Sequence, residues 1–242
     1  MKIVIDAGHG PNTPGKRCPD DSMREYHFNA PTARYAAAEL VNYEGVVVSM
    51  ATFEDGRDVP IDERVRKANG WGADVFVSIH ANAMDGVWGT ANGVEVLVDY
   101  RQPKAAVALA NAVQRKLVAA TGLRDRGLQY RDNVGVLNYT KMTAILVECG
   151  FMDNRVEAAL LKSDAYRQKC AKAIVAGIVE TYGLSRKTAA PPPIQSKEEY
   201  EMAPEDANKI IAFLKAGYSI APNEEFRRLA NVLRKASGQP EE

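Results

Sequence analysis

Cysteine is scarce: Cys18, Cys149 and Cys170 are the only three in 242 residues. An odd, widely spaced set without a C-x-x-C pair excludes a disulfide framework and points to folding in a reducing compartment. Net charge is missing as well. Lys plus Arg and Asp plus Glu number 31 each, which leaves no basic surface for nucleic acid and no polybasic membrane contact. No apolar run reaches the length of a membrane span, so membrane insertion is not expected. The opening "MKIVIDAGHG" lacks the apolar stretch of a secretory signal. The expectation is a protein made in the cytoplasm that needs release before it can act outside. No G-x-S-x-G elbow, Walker loop, H-E-x-x-H signature or internal repeat occurs.

What is present describes a soluble globular chain. The sequence is 46% hydrophobic and 26% charged, and its length suits one substantial core with a small appendage. Strand-like segments alternate with helix-like ones. "KIVI" (2–5), "VVVSM" (46–50), "DVFVSIHA" (74–81), "GVEVLVD" (93–99) and "TAILVECG" (143–150) read as strands. Segments 31–45, 61–72, 103–122, 154–162 and 164–183 read as helices, the first with Pro31 in its opening turn and Gly45 as its stop. This order predicts an α/β fold: a mostly parallel or mixed twisted sheet with helices on both faces.

Composition changes after Leu184. Residues 185–201 hold three consecutive prolines and read as a linker between a domain at 1–184 and a small helical module at 202–242. That module has two candidate helices, 204–217 and 223–238, the second capped by Asn223. Two short helices make little core alone. They are expected to pack on each other and on a partner, a second copy or the main domain.

With only three histidines in the chain, "IDAGHGPN" spends one at the end of the first strand, between two glycines. His80 ends another strand and Glu148 a third, so all three fall where open α/β sheets bind ligands. Glu25 precedes the first long helix. Two histidines and a carboxylate suit Zn²⁺ with an open position, and a further carboxylate suits a general base. Spacing alone leaves the bland readings open. His9 reads equally as a turn histidine, His80 as a satisfied strand-end residue, Glu25 as a helix-start carboxylate and Glu148 as an ion-pair residue. His27, two residues beyond Glu25, is a rival ligand if that segment is extended. Cys149 beside Glu148 invites a nucleophile reading, but strand alternation sends the two side chains to opposite faces.

Taken in order, "IVIDAGHGPNTPG", "REYHFN", "RVRKANGWGADVFVSIHANA" and "ILVECGFMDN" resemble the zinc-dependent N-acetylmuramoyl-L-alanine amidases of the amidase-3 type over roughly residues 1–183. These are peptidoglycan hydrolases of autolysins, sporulation systems and phage endolysins. The resemblance implies Zn²⁺ held by His9, Glu25 and His80, with His27 off the metal and Glu148 as catalytic acid/base. It implies cleavage of the lactyl–L-alanine amide on a glycan strand with peptide stems. Asn82, Tyr130, Arg131, Asn133 and Asn138 are the expected groove-lining residues, although the stretch from 130 to 138 reads as readily as a polar surface loop.

Departures are visible too. Thr52 is followed by Phe53 where the family has arginine, and Pro11 stands where a further glycine is common. Residues 83–92 hold no inserted helix of the kind that occludes regulated members. A short C-terminal module and no leader resemble an endolysin or a mother-cell sporulation enzyme, the module binding wall polymer or pairing subunits. The competing readings are a zinc peptidase acting on stem peptides and a non-catalytic wall-binding protein.

Overall fold

A computed structural model describes residues 1–52, 57–188, 203–220 and 224–238. Phe53, Asn223 and most of the 185–201 linker lie outside these residues.

The chain divides into two units, 1–187 and 188–242. The first is built on six strands: β1 (Lys2–Ala7), β2 (Val47–Met50), β3 (Val75–Asn82), β4 (Val94–Asp99), β5 (Asp125–Arg131) and β6 (Thr143–Phe151). They form one sheet in the order β2-β1-β3-β6-β4-β5. The pairs are parallel except β4 against β6, which runs antiparallel, so the sheet is mixed.

Side-chain alternation divides the core in two. Ile3 and Ile5 of β1, Val75, Val77 and Ile79 of β3, and Ile145 and Val147 of β6 face one side. There they meet α1 (Tyr26–Leu40), α3 (Lys104–Thr121), α5 (Arg155–Lys162) and α6 (Asp164–Tyr182). Val4, Phe76 and Leu146 face the other side, against Ala68 of α2 (Ile61–Trp71) and Val136 and Leu137 of α4 (Gly135–Asn138). Burial on both faces explains why these strands read as nearly continuous apolar runs. Local signals bound the helices: Gly122 closes α3 in the left-handed region at φ 69°, and Asn154 caps the start of α5 by accepting from the amides of Val156 and Glu157.

Three elements depart from expectation. Helix α1 begins at Tyr26, which puts Pro31 inside it rather than in its first turn. The Glu25 carbonyl accepts from the amides of Phe28 (2.9 Å) and Asn29 (3.0 Å), and the Asn29 side chain donates to the Gly8 carbonyl at 2.9 Å. These bonds outweigh the local preference against an early start. β5 and α4 occupy the stretch that reads as polar loop. β5, "DRGLQYR", is an edge strand made by its pairing with β4 rather than by its own propensity.

The second unit contains α7 (Pro204–Ile220) and α8 (Glu224–Ala236). Ala207, Ile211 and Ala230 form its small apolar cluster with Leu233, while Ile210, Leu229 and Val232 are exposed. Among the described residues, no helix is long and apolar enough to cross a membrane.

Candidate metal centre

The strand parity that builds the core also sorts the polar residues. Asp6, Ser78, His80, Glu95 and Glu148 occupy the strand positions that alternate with the larger apolar cluster, so all lie on the α2 side of the sheet. Register then brings them together: Asp6 pairs with Ser78, His80 with Glu148, and Glu95 with Glu148. Cys149, one residue out of phase, is fully buried in the larger core, as alternation requires.

At the carboxyl end of β1 the chain turns sharply, with His9 at φ 59°, a conformation in which histidine is tolerated better than most residues. Its Nε2 lies 3.1 Å from Oε2 of Glu25. Glu25, just ahead of α1, turns its other oxygen to Nδ1 of His80 at 2.8 Å and also accepts from the Ala81 amide. The two imidazoles stand edge to face, 5.0 Å apart. One ligand atom from each of His9, Glu25 and His80 can be chosen so that all lie within 4.8 Å of one another. Two imidazole nitrogens and a carboxylate are a donor set suited to a divalent transition metal with an open position.

Both glycines beside His9 are required by close approach. A Cβ on Gly8 would stand 2.2 Å from Cε1 of His80, and one on Gly10 would stand 2.0 Å from Oδ1 of Asp58. Pro11 is accounted for by the turn that follows. The Thr13 amide bonds back to the Gly10 carbonyl, so Pro11 takes the second position of a four-residue turn, where its fixed φ is favourable. Asp58 holds this turn by accepting from the Asn12 amide (3.1 Å) and the Thr13 hydroxyl (2.8 Å).

Glu25 is buried, and burial alone would raise its pKa. Hydrogen bonding and charge from His80, then from His9, outweigh that and hold the carboxyl well below the usual range. Glu148 is shifted the other way. Burial pushes its carboxyl well above the ordinary value, and the charges of Glu25 and then Glu95 add to the effect, opposed by Lys16. The residue as a whole is partly exposed, but its Oε2 is shut off from solvent and has no hydrogen-bond partner. Two carboxylates with opposed shifts in one site are chemically able to do different things, one to hold a cation and the other to carry a proton. Glu148 faces a cavity of about 500 Å³ that is also bordered by His9, Lys16, Asp58, His80 and Asn133.

The other residues singled out from sequence are distributed as follows. His27 lies on the first turn of α1, exposed, and its Nδ1 accepts from the Arg24 amide; it stands apart from the cluster. Asn133 borders the cavity, and Asn138 borders a neighbouring one while its amide donates to the Asp132 carbonyl. Tyr130 and Arg131 are exposed on β5 and border neither. Asn82 donates to Glu95 at 2.9 Å and is also outside the cavity. Sequence reading passed over Asp6, Ser78 and Arg64. The signal for Ser78 was available, since it stands two residues before His80 on the same strand face.

Comparison with known proteins agrees with this geometry. The Amidase_3 family profile, described as N-acetylmuramoyl-L-alanine amidase, matches residues 3–180. The amidase CwlM of Bacillus licheniformis is 34% identical over 194 residues, covering 78% of this chain and 72% of CwlM. The endolysin of Bacillus phage SPP1 is 32% identical over 199 residues, covering 79% of this chain and 69% of the endolysin. The catalytic domain of the amidase CwlV from Bacillus (Paenibacillus) polymyxa superposes with a TM-score of 0.69 at 32% identity, covering 76% of this chain and 99% of that domain. The chain belongs to the Amidase_3 family of N-acetylmuramoyl-L-alanine amidases.

Proposed function

We infer that this chain hydrolyses the amide between the N-acetylmuramoyl lactyl group and L-alanine in peptidoglycan, with Zn²⁺ held by His9, Glu25 and His80 and with Glu148 as the proton carrier. The observation that carries the reading is the convergence of three ligand-type side chains within 4.8 Å beside a carboxyl oxygen without a partner. The residues fit the ion: two neutral imidazoles and one anionic carboxylate leave a position for substrate or water. When bound, zinc supplies Lewis acidity to the scissile carbonyl and to water.

The chain's own groups do the rest. Glu25, kept anionic, balances the charge of the ion and fixes both rings. Glu148 accepts a proton from the water as its oxygen attacks the carbonyl carbon. It then gives a proton to the alanine nitrogen as the carbon–nitrogen bond breaks. A carboxyl with a raised pKa is suited to holding that proton between the two steps. The products are a lactyl carboxylate and a free L-alanine amine. Asn133, at the cavity edge, is positioned to contact the stem or the glycan; in this reading Tyr130, Arg131, Asn82 and Asn138 contact more distant parts of the strand.

Digestion of purified peptidoglycan tests the reaction. New amino-terminal alanine should appear without new reducing sugar, disappear with a chelator, and return with stoichiometric zinc but not magnesium. A different new amino terminus would favour a stem peptidase, and no cleavage a wall-binding protein. Recovery with magnesium alone would remove zinc from the reading.

The helical unit at 202–242 is proposed to bind wall polymer or to pair two chains, and deletion of residues 185–242 separates these. Wall pelleting is expected to fall if it binds polymer, and the number of chains per particle to fall from two to one if it pairs chains. Unchanged pelleting and unchanged oligomeric state would reject both. The setting, a phage-infected host or a mother cell, belongs to the same proposal. It is supported by the likeness to the SPP1 endolysin.

A further inference from the structure

Beneath the two histidines, Arg64 of α2 and Asp6 of β1 form a buried ion pair, Nη1 to Oδ1 at 3.0 Å. A pair this deep offsets its desolvation only when its remaining donors and acceptors are also met. Every nitrogen and oxygen of this pair has a partner, and the partners are particular groups. Arg64 donates to the carbonyls of Val59 at 2.9 Å, Ala7 at 2.7 Å and His9 at 2.6 Å. The second oxygen of Asp6 accepts the Ser78 hydroxyl at 2.6 Å, and that hydroxyl oxygen lies 3.0 Å from Nε2 of His80. One network thus ends on the backbone of one histidine and on the ring of the other.

Counting hydrogens gives the network a direction. A carboxylate paired with arginine only accepts, and a hydroxyl has a single hydrogen to give. Ser78 gives its hydrogen to Asp6 and must therefore accept from His80. The hydrogen of the neutral His80 ring then sits on Nε2, and the free lone pair is on Nδ1. Nδ1 is the nitrogen facing Glu25 at 2.8 Å. Around Asp6 and Ser78 the sheet face carries Val4, Phe76 and Leu146, a setting in which apolar side chains would pack at least as well. Packing therefore gives no account of a buried acid and hydroxyl at these two places.

We propose that Asp6 and Ser78, anchored by Arg64, are positioning residues that fix which nitrogen of His80 is offered to the metal. This rests on the reading that His9, Glu25 and His80 hold zinc. Outer groups that orient a ligating histidine in this way typically contribute about 10–100-fold to metal affinity.

Asp6→Asn is the informative change because it keeps shape while reversing direction. Its oxygen stays toward Arg64, so its amide nitrogen donates to Ser78. The hydroxyl then donates to Nε2 of His80, and the ring hydrogen moves to Nδ1, the nitrogen the metal needs. The full-length protein and its Asp6→Asn and Ser78→Ala variants would be titrated with zinc against a chromophoric chelator. Circular dichroism of the metal-free proteins would verify folding. Both variants are expected to lose about 10-fold or more in zinc affinity while remaining folded. Long-range ¹H–¹⁵N spectra of the zinc-loaded parent should place the His80 proton on Nε2. If Asp6→Asn does not fold, Ser78→Ala decides. Variants that bind zinc as the parent does, or a parent ligated through Nε2 of His80, would overturn the positioning role and leave the metal site standing. A parent with no zinc affinity would overturn both.

Discussion

Glu148→Gln is expected to keep the metal and lose the reaction. The amide cannot take a proton from water or return one to the alanine nitrogen, and removal of a positioned acid/base costs about 10²–10⁴-fold in rate. Metal content after dialysis should match the parent, because His9, Glu25 and His80 supply the clustered ligand atoms without Glu148. The same change should raise the thermal midpoint of the metal-free protein. Burial first, then the charges of Glu25 and Glu95, push the Glu148 carboxyl above its ordinary value. A carboxyl with a folded-state pKa above its unfolded one costs nothing at pH below the unfolded value. The cost grows as pH rises from there to the folded value and is constant beyond it. Glutamine carries no such cost. The gap in midpoint between variant and parent should therefore open as pH rises above the ordinary carboxyl value and level off only above the raised folded one. Near-parental turnover would remove Glu148 from the mechanism. A gap independent of pH would mean that neither burial nor neighbouring charge raises its carboxyl in the fold.

That opposition between stability and chemistry bears on how much could be read without coordinates. Strand alternation is a local rule. It sufficed to send Cys149 to the core and Glu148 to the other face; the strand-end reading holds for His9, just past β1, whereas β3 continues two residues beyond His80 to Asn82. It did not show that β1, β3 and β6 lie side by side, because the order β1-β3-β6 is set by contacts between residues about 70 positions apart. The convergence of His9, Glu25 and His80 became an expectation only through four motifs in family order.

Ser78 apart, the features that the sequence hides share one physical cause: each is made by tertiary contact. β5 has a glycine and no β-branched residue, and only its pairing with β4 makes it a strand. The early start of α1 depends on Asn29 reaching the Gly8 carbonyl, 21 positions away. Pro11 is explained by a turn that the Thr13 amide closes and that Asp58, 45 positions from Thr13, holds. The glycines of "IDAGHGPN" look like flexibility in the sequence, but in the fold they are space.

The Gly8→Ala substitution puts that distinction to a test with a large expected effect. Gly8 does not stand at positive φ, so alanine would meet no backbone penalty there. The conflict is steric. The new methyl would lie 2.2 Å from Cε1, 2.3 Å from Nε2 and 2.5 Å from Nδ1 of His80. The backbone has little room to retreat, because the Gly8 amide donates to the Ile79 carbonyl at 3.0 Å and its carbonyl accepts from Asn29 at 2.9 Å. The imidazole must move instead, and in moving it gives up Glu25 at 2.8 Å and Ser78 at 3.0 Å. A displacement of about 1 Å at a catalytic site costs on the order of 10²-fold, so turnover should fall at least that far. Metal content of the dialysed protein should drop toward that of His80→Ala, although every ligand is still present. Gly15→Ala is the matched control. Gly15 stands at φ 73° with open space around its missing Cβ, so alanine there strains the backbone by about 1 kcal/mol and should leave metal content unchanged. If Gly8→Ala retained metal and turnover like that control, the His80 ring would not occupy the place between Gly8, Glu25 and Ser78 on which the site depends.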